Sequence, residues 1–260
     1  MDCPDIIAKP WNQMDTNMPL PLEHRVKFFV FVVESPSPID LYHRRSEGEI
    51  VRQAVELNGI KCFVKTAISL DAFEACLKVG LAEAMAAMPG YIPMLHISAH
   101  GNGHGIQLSD GYGMPWGALK DHLKPVNAAL GGALIVCMSS CEGYQGVRMA
   151  MYPDEVELPY FALIGCGAKP TWGETAVAYA TFYHQMSRGE HISDAVAAMR
   201  AASGNNHFFL EHADQSRKAY IEYLKTFDSA KAQASMESIV EGENPARQAQ
   251  LKGHAQDTES

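Results

Sequence analysis

Short apolar runs alternate with amphipathic helical segments along most of this chain, and this alternation limits the folds open to it. The first run, residues 27–33 ("KFFVFVV"), is β-branched and aromatic and is closed by a Ser/Pro cluster, as is typical of a buried strand. Later runs have the same character: "KCFVKTA", "IPMLHISA", "GGALIVCMSS", "LPYFALIGC" and the short "HFFL". This pattern predicts an α/β fold with a mostly parallel sheet of about six strands and helices on both faces.

Helical patterns fill the intervals between the predicted strands. Residues 46–60 carry apolar side chains at helical spacing and stop at Asn58-Gly59, and Ser69 opens a longer helix that runs to about Met88. Two further helices follow the fifth strand, "TWGETAVAYATFYHQMSRG" and "SDAVAAMRAAS". The central domain is therefore predicted over residues 25–211.

The two ends of the chain differ from this central part. Residues 1–24 are predicted to form an extended arm. Residues 212–240 have a helical pattern, with Tyr220, Leu224 and Phe227 on one stripe, and are expected to pack on the domain. Residues 241–260 are polar and are expected to be disordered.

Charge and cysteine usage exclude several classes of function. The formal net charge of -9 argues against binding to nucleic acid or to acidic membranes. No apolar run reaches the roughly 18 residues of a membrane helix, and the N-terminus lacks the basic and apolar blocks of a signal peptide. The six cysteines are scattered and form no C-x-x-C pair, which favours a cytoplasmic protein with reduced thiols.

Two residues with catalytic chemistry follow the third and fourth predicted strands. His100 ends the run "MLHISAHG", and Cys141 ends the run "ALIVCMSSCEG". Neighbouring parallel strands bring their carboxyl ends to one edge of the sheet, where active sites lie. A thiolate there can attack a carbonyl while the histidine protonates the leaving amine. Backbone N–H groups near Gly101 and Cys141 can hold the oxyanion.

These motifs resemble the CHAT group of caspase-like cysteine peptidases. The shared pattern is an apolar strand with H-x-x-x-H-G, a second strand that ends in small residues, Cys and an acidic-Gly pair, and then a strand followed by two helices. The similarity covers roughly residues 27–203. It implies a caspase-like three-layer sandwich and a cysteine endopeptidase that cuts a specific protein partner, in a bacterial regulatory or defence setting. An activating partner protein and no cofactor are implied as well.

The resemblance also assigns roles to individual residues. His100 matches the catalytic histidine and Cys141 the nucleophile, while His96 matches a position of structural role. The tandem "HGNGHG" leaves His104 as an alternative to His100. The loop "DLYHRRSEGE", residues 40–49, resembles a caspase loop whose arginine binds an acidic P1 side chain, which makes Arg45 a candidate.

Other interpretations of these residues stay open. Arg44 and Arg45 can instead pair with Glu47 and Glu49 near a helix start. Trp172 is either a wall of the substrate site or a packing residue, and Ser139 is a further candidate for substrate binding.

Two alternative functions stay open. One is a catalytically silent caspase-like module that binds partners. The other is a thiol or metal enzyme on an ordinary α/β sheet. A metal site on His96, His100 and His104 would need a helix to align them, and the glycines at 101, 103 and 105 oppose a helix. No metal is therefore predicted.

Overall fold

A computed structural model describes residues 27–242, with side chains through residue 227. Its strands are β1 (Phe28–Ser35), β2 (Cys62–Thr66), β3 (Ile92–Asn102), β4 (Gly105–Gln107), β5 (Gly113–Pro115), β6 (Ile135–Ser139), β7 (Ala162–Cys166) and β8 (Phe208–His212). Its α-helices are α1 (Pro38–Tyr42), α2 (Glu47–Glu56), α3 (Leu70–Ala75), α4 (Leu81–Ala87), α5 (Trp116–Ala129), α6 (Trp172–Arg188), α7 (Ile192–Ser203) and α8 (Ala213–Gly242). A π-helical turn at Cys76–Gly80 joins α3 to α4, and a 3-10 helix covers Gly143–Ala150.

Six of the strands form one sheet in the order β2-β1-β3-β6-β7-β8. Every neighbouring pair is parallel except β7 and β8, which are antiparallel. The predicted mostly parallel sheet of about six strands is therefore confirmed. The short strands β4 and β5 extend the end of β3 as an antiparallel hairpin.

Strand β1 shows why helices cover both faces of the sheet. Phe29, Phe31 and Val33 lie in an apolar core with residues of α4 and α5. Their neighbours along the strand, including Val30 and Val32, lie in a second core with residues of α2, α6 and α7. Both sets are buried because side chains alternate between the faces of a strand. Burial of each such side chain stabilises the fold by roughly 1.5–3 kcal/mol.

The structure departs from the sequence prediction in the segment between β3 and β6. Strand β3 continues past His100 to Asn102 and turns back into β4. Helix α5 was not predicted, and it contains Pro125. Its N-terminal neighbours β4 and β5 were not predicted either. Helix α1 falls in a segment predicted as a loop, and the 3-10 helix after β6 was not predicted. The other strands and helices lie close to their predicted positions.

The chain divides into two compact units, Met1–Arg217 and Lys218–Ser260. The whole sheet belongs to the first unit, and most of α8 belongs to the second. The predicted arm, residues 1–24, lies outside the described residues, as does the predicted tail beyond Gly242. Packing of the C-terminal helix on the domain stays a prediction. Within residues 27–242, no helix combines the length and the apolar character needed to cross a bilayer.

Candidate active site

Strand register brings His100 and Cys141 to the same edge of the sheet. In the parallel pairing of β3 with β6, the final pair is Ser98 with Ser139. His100 and Cys141 each follow that pair by two residues. Side chains two residues apart on a strand share a face, so His100 extends the face that carries His96 and Ser98. That face is the one covered by α2 and α6.

Cys141 occupies a tight turn directly after β6. Glu142 has a left-handed backbone with φ of 56°, which is uncommon for a residue other than glycine. Its N–H donates to the Ala168 carbonyl at 2.8 Å, and the Gly143 N–H donates to the Ser140 carbonyl at 3.1 Å. These bonds fix the turn that presents the Cys141 side chain.

Cys141 differs from the other described cysteines in its exposure. Cys62, Cys76, Cys137 and Cys166 are buried, whereas Cys141 is partly exposed. Burial raises the pKa of the Cys141 thiol, the neighbouring Lys169 ammonium lowers it and Glu142 raises it. The net shift of this pKa is upward, so the resting thiol is protonated at neutral pH. A base is therefore needed to generate the thiolate.

His100 contacts a buried carboxylate that the sequence analysis did not identify. Its Nε2 lies 3.4 Å from Asp40 Oδ2, and the His100 side chain is 49% exposed while that of Asp40 is 6% exposed. A hydrogen bond from Ser37 lowers the pKa of Asp40, burial raises it, and His100 and Arg45 lower it further. Asp40 therefore stays ionised and holds Nε2, which leaves Nδ1 of His100 available to other groups.

Close packing at Gly101 joins the His100 strand to the Cys141 turn. A Cβ atom at position 101 would lie 3.0 Å from Ser140 Cβ and 3.1 Å from the Cys141 carbonyl oxygen. A side chain at position 101 would push the two segments apart by a few tenths of an ångström, so glycine favours their close approach.

The N–H groups of Gly101 and Cys141 are both left without a backbone acceptor. Asn102 pairs with Gly105 across a two-residue turn, so these two residues exchange both ladder bonds and Gly101 exchanges none with Ile106. Within the described part of the chain, no backbone carbonyl accepts the Cys141 N–H either. Each of the two segments that meet at Gly101 therefore has one backbone donor without a backbone acceptor.

His100 and Cys141 line one cleft, which we call the Cys141 cleft. Its other lining residues are Ser35, Pro36, Glu47, Ser98, Ala99, Ser139, Ser140, Pro170, Trp172 and Thr175. Hydroxyl groups and one carboxylate dominate its polar surface. None of these residues, all of them in the described part of the chain, is a lysine or an arginine.

Glu47 lies in the first turn of α2 and carries the carboxylate of the cleft. Its Oε1 accepts a hydrogen bond from Ser139 Oγ at 2.6 Å, and its Oε2 accepts one from Ser98 Oγ at 2.7 Å. Burial raises the pKa of Glu47, but His96 and the Ser139 and Ser98 hydroxyls outweigh burial and hold this pKa below its ordinary value. Glu47 is therefore a buried anion.

Two of the three predicted substrate-binding residues line the Cys141 cleft, and the third does not. Ser139 and Trp172 both line the cleft; Ser139 is buried and Trp172 is 40% exposed at the start of α6. Arg45 is not among the lining residues, and its Nη1 lies 3.6 Å from Asp40 Oδ1. The alternative pairing of Arg45 with Glu47 or Glu49 is wrong, because Glu47 bonds serines and Glu49 pairs with Arg52.

The other two histidines of the motif lie apart from the thiol. His96 is fully buried, and its Nδ1 lies 3.0 Å from the Tyr183 hydroxyl. His104 is exposed in the β3–β4 turn, where its N–H donates to Asn102 Oδ1 at 2.8 Å. Among residues 27–227, no group of three or more His, Cys, Asp or Glu side chains is arranged to hold a metal ion.

Comparison with known proteins gives weak structural similarity and no sequence match. No protein-family model matches the sequence, and no curated protein matches it. The crystal structure of the Arg-specific cysteine proteinase gingipain R aligns with a TM-score of 0.40 and 11% sequence identity, over 70% of this chain and 46% of that chain. The chain thus spans about half the length of that proteinase. Functional assignment therefore depends on the side chains around Cys141.

Proposed function

We propose that this chain is a cysteine endopeptidase with Cys141 as nucleophile and His100 as general base and acid. One observation carries the proposal: the partly exposed Cys141 shares a cleft with His100 at the carboxyl edge of the sheet. His100 takes the thiol proton as sulfur attacks the scissile carbonyl. The protonated His100 then gives that proton to the leaving amine, and water later hydrolyses the thioester.

Asp40 is proposed to orient His100. A carboxylate on one ring nitrogen selects the tautomer and stabilises the imidazolium that forms during catalysis. The 3.4 Å contact of Asp40 with Nε2 supports this role and leaves Nδ1 free to act on the thiol. Arg45, beside the same carboxylate, is proposed to keep Asp40 ionised; a direct contact of Arg45 with substrate stays a prediction.

The oxyanion is proposed to bind between the N–H groups of Gly101 and Cys141. Both donors lack a backbone acceptor among the described residues, and the packing at Gly101 holds the two segments together. Donors fixed in this way need no reorganisation when negative charge develops on the carbonyl oxygen.

The charge of the cleft supports a substrate with a basic side chain at P1. Glu47 supplies a buried negative charge, and the lining residues of the cleft include no lysine or arginine. Glu47 already has serine and His96 partners inside the protein, and a lysine or arginine side chain of the substrate would add a further favourable contact with its charge. An acidic P1 side chain would be repelled. Trp172 is proposed as a wall for the aliphatic part of that side chain.

The resemblance to the CHAT group supports a wider biological proposal. In this proposal the protein acts in the bacterial cytoplasm on a dedicated protein partner, and a second protein switches it on. A thiol mechanism needs no cofactor.

Cleavage of a peptide library by the wild type and by Cys141→Ala tests the proposed function. We expect the wild type to cut after lysine or arginine, and the variant to lose cleavage while its melting temperature hardly changes, because a thiol at an exposed edge contributes little packing. Full activity in excess chelator is expected as well. Cleavage by the folded Cys141→Ala variant, or no cleavage by the wild type, would contradict the proposal.

A further inference from the structure

We propose that one face of the hairpin formed by β3, β4 and β5 binds the part of the substrate that follows the scissile bond, and that Gln107 selects its second residue, P2′. This surface, which we call the hairpin face, carries His100, Asn102, Gln107 and Gly113. The inference rests on the proposed peptidase function and deepens it, because a site that holds chain on both sides of the cut suits internal bonds of a polypeptide.

Strand pairing places these residues on one side of the hairpin. His100 pairs with Gln107, and Gln107 pairs with Gly113, so the three form one row across β3, β4 and β5. Side chains of directly paired residues lie on the same face of a sheet. Ile106 and Met114 belong to the next row and are buried in the apolar core on the other face. The hairpin therefore has one face that packs on the core and one face that begins at His100.

The hairpin face is open to solvent and adjoins the Cys141 cleft. Asn102, Gln107 and Gly113 are exposed, and the His100 side chain is 49% exposed. His100 lines the Cys141 cleft and also a second hollow, whose other lining residues belong to β3, β4, β5 and the turn between β3 and β4. In the proposed mechanism His100 protonates the leaving amine, so the chain beyond that amine starts at His100. Because the P1 side chain occupies the Cys141 cleft, the second hollow is left for this chain.

The size of the hairpin face sets how many residues it can hold. From His100 to Gly113 the row crosses two strand spacings, which together are about 10 Å. An extended peptide advances about 3.3 Å per residue, so three residues are enough to cross the row. P1′ then lies beside His100, P2′ over Gln107 and P3′ near Gly113.

Gly113 provides a backbone donor and acceptor at the far end of the row. The Leu108 N–H donates to the Tyr112 carbonyl at 2.9 Å, so the next pair along the ladder, Gln107 with Gly113, exchanges no hydrogen bonds. The N–H and carbonyl of Gly113 thus point away from β4, and neither has a backbone partner within residues 27–242. Both groups can pair with the backbone of P3′.

The two long polar side chains of the hairpin face are amides. Asn102 Oδ1 accepts the His104 N–H at 2.8 Å, while Asn102 Nδ2 makes no hydrogen bond in the described part of the chain. Gln107 Nε2 lies 3.4 Å from the Gly111 carbonyl oxygen, at the long end of hydrogen bonding. The lining residues of the second hollow, all between positions 100 and 115, include no aspartate, glutamate, lysine or arginine. A charge introduced at Gln107 should therefore select P2′ by its sign.

Substrates of increasing length test the extent of the site. All carry arginine at P1, and they continue as a coumarin amide or as one, two, three or five further residues. We expect kcat/KM of the wild type to rise through P3′, by about tenfold in total, and then to stay level, because binding of remote residues contributes to the rate. Gly113→Phe adds a ring where a Cβ would meet nothing within 4 Å. It should lower kcat/KM for the three-residue substrate far more than for the coumarin amide.

Charge variants at Gln107 test the specificity directly. Two peptides are compared that differ only in lysine or glutamate at P2′. Gln107→Glu should raise the lysine-to-glutamate ratio of kcat/KM by roughly two- to fivefold, and Gln107→Lys should lower it by a similar factor, as for exposed ion pairs. Both effects should shrink in high salt. The same changes at Gln53, an exposed glutamine of α2 outside the Cys141 cleft and the second hollow, should leave the ratio unchanged.

The outcomes separate this inference from the proposed function. A ratio that is unchanged in both Gln107 variants, or that changes equally in the Gln53 variants, would overturn the inference. A wild-type rate that does not depend on residues beyond P1′ would overturn it as well. Failure of the wild type to cleave any of these substrates would overturn the peptidase assignment itself, and the inference with it.

Discussion

Asp40 contacts both His100 and Arg45, two residues that the sequence analysis did not link to each other. One of its oxygens lies 3.4 Å from His100 Nε2 and the other lies 3.6 Å from Arg45 Nη1. Because the Asp40 side chain is buried, its charge is poorly screened and depends on these partners. In the proposed mechanism, Arg45 can therefore influence catalysis without touching the substrate.

His100 and His104 are each followed by glycine, and replacing them one at a time tests which of the two acts in the proposed mechanism. His100→Ala should lower kcat by roughly 10²–10⁴-fold, the usual contribution of a general acid-base group. His104→Ala should leave kcat almost unchanged, because His104 is exposed in the hairpin turn and outside the Cys141 cleft. Steady-state kinetics on both folded variants provide the measurement, and equal losses would show that the wrong histidine has been assigned.

Asp40→Asn should lower kcat while KM for a basic peptide changes little. The amide keeps the size of the side chain but can donate to Nε2 and stabilise the wrong tautomer. We expect a loss of kcat of about tenfold or more, within the range of general acid-base catalysis. Arg45→Gln serves as the milder control. If Asp40→Asn raises KM alone, Asp40 contacts the substrate instead of orienting His100.

At the scale of elements, hydrogen bonds hold the start of helix α2 against the end of strand β1. Glu34 accepts hydrogen bonds from the Ser46 hydroxyl at 2.7 Å and from the Gly48 N–H at 3.0 Å. These contacts hold Glu47 at the cleft. Packing here is tight, because a Cβ at Gly48 would lie 2.8 Å from Val64 Cγ1 and 3.1 Å from Glu34 Oε2.

Gly48→Ala should therefore destabilise the protein. We expect a loss of about 1–3 kcal/mol from overpacking and a larger KM for a basic P1 residue, because α2 must shift. Gly173→Ala is the matched control, since Gly173 also lies in the first turn of a helix, α6, and a Cβ there would meet nothing within 4 Å. Thermal unfolding and kinetics of the two variants provide the comparison. An unchanged melting temperature in Gly48→Ala would contradict this description of the packing.

Some elements could be predicted from the sequence because their own residues determine them. Strands β1, β3 and β6 are continuous apolar runs, and the helix at residues 46–60 has both a serine cap and an Asn-Gly stop. Helix α5 was not predicted, and it contains Pro125, a residue that is unfavourable within a helix. The hairpin of β4 and β5 was not predicted either, because its strands have three residues each.

The site could be predicted only in part, because some of its residues are positioned by partners that are distant in the sequence. His100 and Cys141 follow strands, so the topology alone brings them to one edge. Asp40 and Glu47 lie within one short loop and helix start, and their positions depend on long-range partners such as His100 and Ser139. Glu47 was expected near a helix start, but no local signal indicated that it faces the cleft.

Across the whole molecule, the buried carboxylates make stability depend on acid pH. The pKa values of Asp40 and Glu47 lie below their ordinary values of 3.8 and 4.5. A lowered folded-state pKa stabilises the protein above the ordinary value, and this stabilisation is lost as the pH falls through the folded-state pKa. Two carboxylates, Glu47 in the Cys141 cleft and Asp40 beside His100, thus contribute to acid sensitivity.

The melting temperature should therefore be level above about pH 5 and fall steadily below about pH 4.5. Glu47→Gln should show a shallower fall, since the group that titrates is gone. Glu83→Gln, on the exposed side of α4, should follow the wild-type curve. Differential scanning calorimetry between pH 7 and pH 3 measures this, and a Glu47→Gln curve parallel to that of the wild type would contradict the assignment of Glu47.

Covalent labelling tests the central claim most directly. The wild type is incubated with a peptidyl chloromethyl ketone ending in arginine, and the modified residue is mapped by tandem mass spectrometry. Addition of one label at Cys141 is predicted, with loss of cleavage in proportion to labelling and much slower labelling in His100→Ala. Inactivation with the label on another residue, or full activity with Cys141 completely labelled, would contradict a Cys141 nucleophile.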